Sequence, residues 1–365
     1  MSSIITFLGK GGTGRTTVAI ATAKKLASEG KKVLLIGQEH SPDFGLRLGI
    51  APEPKPQEIG ANFSVVQLRS TVLLEHGWEE AKKLEAEYLR TPTLKNVYGQ
   101  ELGILPGMDE VLALNAIREY DQSKKYDAIV YDGAGDINTL RMFGTPEIFS
   151  WYIRRFRGVL AESDIVKAVS PFIQPVTSAI LNVSWTADNL APEPTNKANQ
   201  ILEEGKKALA DPQRVIAYLV TTPDRGAIAT AKYLWGSAQQ INLTVGGVLL
   251  NRGEGTNFNS EFQPLTITSL PPMVEDNWEP LIDALPNFGA AVQAPKPINF
   301  DMAEGKISVF LPGFDKKQVK LTQYGPEITV EAGDQRRNIT LPPAWSGRSV
   351  TGAKFQNGYL EVKIG

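Results

Sequence analysis

The strongest constraint on this chain lies in residues 4–17. An apolar, β-branched run, Ile4-Ile5-Thr6-Phe7-Leu8, leads straight into Gly9-Lys10-Gly11-Gly12-Thr13-Gly14-Arg15-Thr16-Thr17. A buried-strand pattern, a glycine-rich turn and then helical spacing over 16–29 form a strand–loop–helix unit. Gly30 is the expected stop of that helix, and 32–36 begins a second strand, which completes a βαβ unit. The glycines let successive backbone N–H groups converge on phosphate oxygens. The helix N-terminus adds partial positive charge, and the Thr16 hydroxyl can reach Mg²⁺. Residues 9–17 are thus expected to cradle the anionic tail of a nucleotide.

Short β-branched runs recur at 64–68, 127–131, 215–220 and 245–250, with helical spacing between them, as at 109–120. The predicted fold class is α/β: a mainly parallel sheet flanked by helices. Residues 71–90 carry Trp78, Ala81, Leu84 and Tyr88 at helical spacing, and 149–210 is long, partly apolar and rich in Ser, Asn and Pro. Both read as insertions over the sheet, and insertions of this kind often carry partner specificity. The expected organisation is a first domain over 1–285 with helical insertions at about 71–120 and 147–210, where a partner could bind. A Pro-containing linker follows over 286–299, and then a small all-β, immunoglobulin-like sandwich over 300–365. The small domain shows short strand signals at 306–311, 319–321, 328–330 and 359–364.

Composition narrows the function. Lys plus Arg number 38 against 40 Asp plus Glu, a net charge of −2. No positive excess is left to neutralise a phosphate backbone, which argues against nucleic acid as a partner. With no cysteine and only His40 and His76 as histidines, zinc thiolate sites, iron–sulfur clusters and disulfides are ruled out, and any metal should be hard and oxygen-bound. The N-terminal apolar run is too short for a signal peptide, and no apolar stretch reaches the ~18 residues a membrane span needs. The expectation is a cytoplasmic protein with no stable membrane insertion.

Further candidates lie at the ends of predicted strands. Asp132 closes the run 126–132, where a carboxylate can hold Mg²⁺ through water. Glu39 lies just after the second strand and by itself reads as an exposed loop residue. Asn251 ends the strand 245–250, and strand C-terminal ends are where nucleotides bind in open α/β sheets. It reads as a nucleotide contact or as a turn residue. Arg15 stands where such loops usually carry Lys. Its planar fork approaches phosphate oxygens differently from an ammonium, which predicts retained nucleotide binding with slowed hydrolysis.

These motifs together resemble the arsenite-pump and tail-anchored-protein-targeting family of ATPases, over residues 1 to about 285. Lys10 resembles the signature lysine of the deviant Walker A class, whose members form face-to-face homodimers in which this lysine reaches the partner's nucleotide; the bland alternative is a solvated surface lysine. Asp132 matches the Walker B carboxylate, and Thr139-Leu140-Arg141 the end of switch II. Glu39 falls in the register of the switch I carboxylate, the segment 106–110 looks like a further family element, and Asn251 falls where the family contacts adenine. The resemblance implies ATP and Mg²⁺ as ligands, with Lys10, Arg15 and Glu39 catalytic, residues 9–17 and Asn251 binding nucleotide, and Thr16 and Asp132 on the metal. The family's zinc-binding cysteine pair has no counterpart here, so no zinc is expected at a dimer seam.

Leu311-Pro312-Gly313-Phe314 and Ala353-Lys354-Phe355-Gln356-Asn357-Gly358-Tyr359-Leu360 resemble the α-crystallin domain of small heat-shock proteins. Asn357-Gly358 is a strong hairpin turn, because both residues tolerate φ > 0. Two functions remain open at this level. One is a dimeric ATPase that acts as a targeting factor or chaperone for hydrophobic client segments. The other is a nucleotide-binding scaffold or holdase whose altered site, with Arg15 and Glu39, turns over slowly or not at all.

Overall fold

The apolar runs pair side by side because each is hydrophobic on both faces and must be covered on both. In this computed structural model, residues 1–38, 42–88, 107–162, 197–253, 260–275, 277–289 and 294–365 are described. In chain order the first part contains β1 (Ser3–Leu8), α1 (Arg15–Ser28), β2 (Val33–Gly37), α2 (Pro42–Leu48), β3 (Gln57–Gly60), β4 (Phe63–Gln67), α3 (Ser70–Tyr88) and α4 (Met108–Gln122). It continues with β5 (Ala128–Asp132), α5 (Ile137–Glu162), α6 (Lys197–Ala210), β6 (Val215–Thr221), α7 (Arg225–Gln240), β7 (Val245–Asn251), β8 (Ile267–Leu270) and α8 (Glu279–Ala284).

The strands form one sheet in the order β3-β4-β2-β5-β1-β6-β7-β8. Every pairing is parallel except that of β3 with β4. Alternate residues of the central strands feed two cores. Ile4, Leu8, Leu34, Ile36, Ile129 and Tyr131 face one side, and Ile5, Phe7, Val33, Leu35 and Val130 face the other. β1 lies between β5 and β6, so the loops after β1 and β5 leave the same edge of the sheet side by side.

α5 carries Pro146 in its interior. Proline supplies no N–H for the helical ladder, and α6 meets this point closely: a Cβ on Gly205 would lie 3.0 Å from the Pro146 ring. Of the predicted insertions, α3, α4 and the ends of the second one are helical. The stretches 89–106 and 163–196 lie outside the described residues.

The C-terminal part is all antiparallel. It comprises β9 (Ile298–Asp301), β10 (Lys306–Phe310), β11 (Val319–Tyr324), β12 (Glu327–Ala332), β13 (Gln335–Thr340), β14 (Val350–Gln356) and β15 (Tyr359–Ile364). They form sheets of order β14-β15-β10-β9 and β11-β12-β13 around Ile307, Val309, Ile328, Val330, Trp345 and Val362. Asn357 and Gly358, at φ 52° and 74°, make the turn between β14 and β15. Four strands carry no clear signal in the sequence: β3, β8, β9 and β13. β3, β8 and β9 are four residues each, and β13, QRRNIT, holds few apolar residues because one of its arginines points inward.

That arginine is a rivet between the two parts. Arg337 on β13 is buried, and it donates to the Gln239 carbonyl at 3.0 Å and to Asn242 Oδ1, just past the C-terminal end of α7. Burial pushes its guanidinium down to about 10, with Glu147 opposing the shift, so it remains charged at neutral pH against the negative end of the helix. Gln240 Nε2 donates to the Ala332 carbonyl at 2.8 Å. The Leu311–Phe314 turn presses on the same helix at Gly236, where a Cβ would lie 2.2 Å from the Pro312 carbonyl oxygen and 2.5 Å from the Phe314 ring. Only a residue without a side chain permits that approach. Trp235 meets Phe310 edge to face at 5.5 Å.

Gly236→Ala is therefore expected to overpack this seam, costing about 1–3 kcal/mol. Thermal unfolding with limited proteolysis of the β-domain checks it, and an unchanged midpoint and digestion pattern would contradict it. Buried phenols make the fold sensitive to base. Burial raises Tyr120 and Tyr218 from 10.0 to about 12, so the unfolded chain gives up these protons first. Their contribution is intact below about pH 10 and falls as pH rises towards about 12. Urea unfolding across that window should show the loss, and Tyr218→Phe should reduce it.

Candidate functional site

The loop after β1 leaves the start of α1 without a capping side chain. Gly14 is the N-cap of α1 at φ 94°, ψ 25°; no side chain caps the helix, and no acidic residue occupies its first turn. The amides of Thr16 and Thr17 thus face the positive end of the helix without a side-chain cap. The turn is closed from within, because the Thr13 amide and hydroxyl both donate to the Lys10 carbonyl, at 3.3 and 2.8 Å. Gly11 and Gly12 are exposed, and a Cβ on either would meet nothing within 4 Å. The outer face of the loop is therefore open, and phosphate oxygens fit the donors that line it.

Its inner face is held from two sides. On one side Gly9 N–H donates to the Gly135 carbonyl at 2.9 Å. Gly135 N–H donates to Thr139 Oγ1 at 2.8 Å, and Asp136 accepts from Asn138 N–H at 2.8 Å, which starts α5. The Arg15 side chain lies against this segment: a Cβ on Gly135 would fall 2.0 Å from Arg15 Nη1 and 2.6 Å from the Phe7 carbonyl oxygen. On the other side Asn251, buried at the end of β7, donates from Nδ2 to the Thr13 carbonyl at 2.8 Å. That amide nitrogen secures the loop, and the bond uses the Nδ2 end of a side chain that also carries an acceptor oxygen.

Asp132 is the last residue of β5 and is buried, paired across the sheet with Gly37. Its carbonyl accepts from Gln38 N–H at 3.0 Å. The Gln38 side chain joins three elements: it accepts from the Tyr131 hydroxyl and donates to the Asp109 carbonyl at 3.4 Å. Tyr131 is almost fully buried, which raises its phenol far above the ordinary range, and Asp132, Glu110 and Asp136 push the same way. It stays protonated and remains a donor. Lys10 is exposed at the mouth of the loop, its Nζ 3.9 Å from Asp224 Oδ1. Asp224 also caps α7 by accepting from Ala227 N–H at 2.9 Å.

Gly9, Lys10, Gly11, Gly12, Thr13, Gly14, Arg15, Thr16 and Thr17 thus share one edge of the sheet with Asp132 and Asn251, at the C-terminal ends of β1, β5 and β7. Glu39 lies outside the described residues. The sequence reading passed over Gln38, Gly135 and the double role of Asp224. The Pro-Asp step before a helical pattern was a readable cap signal for Asp224. Nothing local marks Gln38, whose partners are distant in sequence. Among the described residues no cluster of three or more His, Cys, Asp or Glu is placed to hold a metal, and the donors at this edge are a hydroxyl, a carboxylate and backbone groups. No helix among them is long and apolar enough to cross a membrane.

Comparison with known proteins agrees with this architecture. The model of the anion-transporting ATPase family matches residues 2–260, and that of the HSP20-like domain found in ArsA matches residues 303–364. A Chlorobaculum tepidum protein named "Putative arsenical pump-driving ATPase" is 25% identical, over 98% of this chain and 95% of its own length. Protein Rv2184c of Mycobacterium tuberculosis is 26% identical over 98% of this chain and 94% of its own. "ATPase ASNA1 homolog 1" of Paramecium tetraurelia is 26% identical over 38% of this chain and 42% of its own.

The Asn251 contact makes a measurable claim. Asn251→Ala strips the buried Thr13 carbonyl of this donor, at a cost of about 1–3 kcal/mol. A lowered unfolding midpoint is expected, with faster amide exchange in residues 11–16. A variant as stable and as protected as the parent would show that the loop stands without this bond.

Proposed function

The chain belongs to the anion-transporting ATPase family, and from that premise we propose that it binds ATP with Mg²⁺ on residues 9–17 and hydrolyses it as a homodimer. The observation that carries this reading is the uncapped N-terminus of α1 behind an open glycine loop, one strand away from a buried carboxylate. In this proposal the backbone N–H groups of Gly11, Gly12 and Gly14 to Thr17 bind the phosphates, and Gly135 and Asn251 keep the loop in shape to do so. The Thr16 hydroxyl and the Asp132 carboxylate hold the metal; they suit Mg²⁺, which takes few protein oxygens and completes its shell from phosphate and water. When bound, Mg²⁺ offsets charge on the phosphate oxygens. Arg15 adds positive charge beside the loop, Lys10 is free to swing from the weak, exposed Asp224 pair toward a partner subunit's site, and Glu39 positions the attacking water.

The cargo is proposed to be a hydrophobic client segment, with the protein acting as a targeting factor or chaperone. Ile148, Phe149 and Tyr152, which follow one another along α5, are 42%, 42% and 49% exposed. Large apolar side chains grouped on a surface commonly mark a protein-binding site.

One observation favours the slower alternative, in which nucleotide is held with little turnover. Arg15 lies against Gly135, so its planar fork rests beside the segment that follows Asp132 and must leave that contact to reach phosphate oxygens. Arg15→Lys, with a slimmer head group, is therefore expected to raise turnover. Mg²⁺-dependent phosphate release should fall at least about tenfold in Asp132→Asn, as expected when a metal-holding charge is lost. Failure of the purified protein to bind ATP at millimolar concentration in calorimetry would end the ATPase reading. Binding without phosphate release would leave the scaffold in its place.

A further inference from the structure

Two adjacent loop residues each bear on the start of a helix, and both helices run to the same β-domain. Gly9 N–H donates to Gly135, two residues before α5, and Lys10 faces Asp224, the cap of α7. With 26 and 16 residues, α5 and α7 reach ~39 and ~24 Å. The β-domain holds both. Arg141, in the first turns of α5, pairs with Asp334 at 2.6 Å. Further along, Arg154 pairs with Glu327 at 2.9 Å, Trp151 Nε1 donates to the same carboxylate at 3.3 Å, and the Arg155 guanidinium lies 4.3 Å from the Tyr324 ring centre. On α7 the grip is Arg337, with Gln240 and the Gly236 contact beside it.

We propose that the C-terminal β-domain is a positioning element of the nucleotide site: Glu327, Asp334 and Arg337 hold two helices whose starts, at Gly135 and Asp224, are tied to Gly9 and Lys10, so nucleotide in the loop and docking of the β-domain are linked. The inference rests on the reading that the loop binds nucleotide. Linkage is reciprocal: if docking sets where α5 begins, a change in docking changes nucleotide affinity, and nucleotide changes docking by the same factor. Each exposed ion pair is weak by itself, and it is their spread along one helix that fixes its position. The two parts then act as one device, with the β-domain more than an appended module.

The test uses the full chain. The Kd for MgATP is measured by calorimetry for the parent, for Glu327→Arg, for Arg154→Glu and for the double swap that restores an ion pair. Hydrogen exchange of 319–340 is followed with and without MgATP. Each single variant should shift Kd at least about threefold, the double swap should recover most of it, and exchange in the parent should change on adding MgATP. Singles with the parent's Kd, together with unchanged exchange, would overturn the proposal. A shift that the double swap leaves in place would overturn the role of this pair. Should the singles fail to fold, exchange in the parent decides alone. Loss of all binding by the parent would sink the nucleotide reading and this one with it, whereas intact binding with unmoved variants sinks only the linkage.

Discussion

The hydrogen bond from Gly9 N–H to the Gly135 carbonyl joins the two segments on which the site depends. It ties the phosphate-type loop after β1 to the stretch that follows Asp132 on β5, and it needs a close backbone approach that a side chain at residue 135 would prevent. Around it the remaining geometry follows. Thr139 and Asp136 start α5 from that point, Arg15 lies across it, and Asn251 braces the opposite side of the loop. Remove this approach and the loop, the carboxylate and the helix no longer share one origin.

Much of this was legible in the sequence, for physical reasons that differ between elements. β1, β2, β5, β6 and β7 are buried on both faces, so they appear as continuous apolar β-branched runs. The glycine loop shows itself because backbone donors can converge on an anion only where side chains are absent. Edge strands such as β3 and β8 are short and half covered, and they carry no comparable pattern. β13 was hidden by the very residue that makes it matter. A buried arginine reads as surface until the helix end that accepts its charge is known. Gln38 stayed silent for a related reason: it joins β2, β5 and α4, and no window along the chain contains its partners. For Asn251 the position at a strand end was readable and its bond to the Thr13 carbonyl was not, because that bond depends on how closely β7 approaches the loop.

The C-terminal motif gains a physical meaning from its contacts. In the turn Leu311–Phe314, glycine and proline are read from sequence as local turn chemistry. In the folded chain the same residues press into α7 at Gly236, and Phe310 rests against Trp235. The turn therefore does two things at once: it reverses the chain within the β-domain and supplies the knob that seats that domain on the ATPase fold.

Pro146 gives the long helix a property that its length alone would not suggest. With no N–H to donate to the Met142 carbonyl, the ladder lacks a rung partway along α5. Arg141 lies before this gap and Arg154 beyond it, yet both are paired to β12 or the turn that follows it. The β-domain consequently braces the helix on both sides of its missing rung, as a splint does.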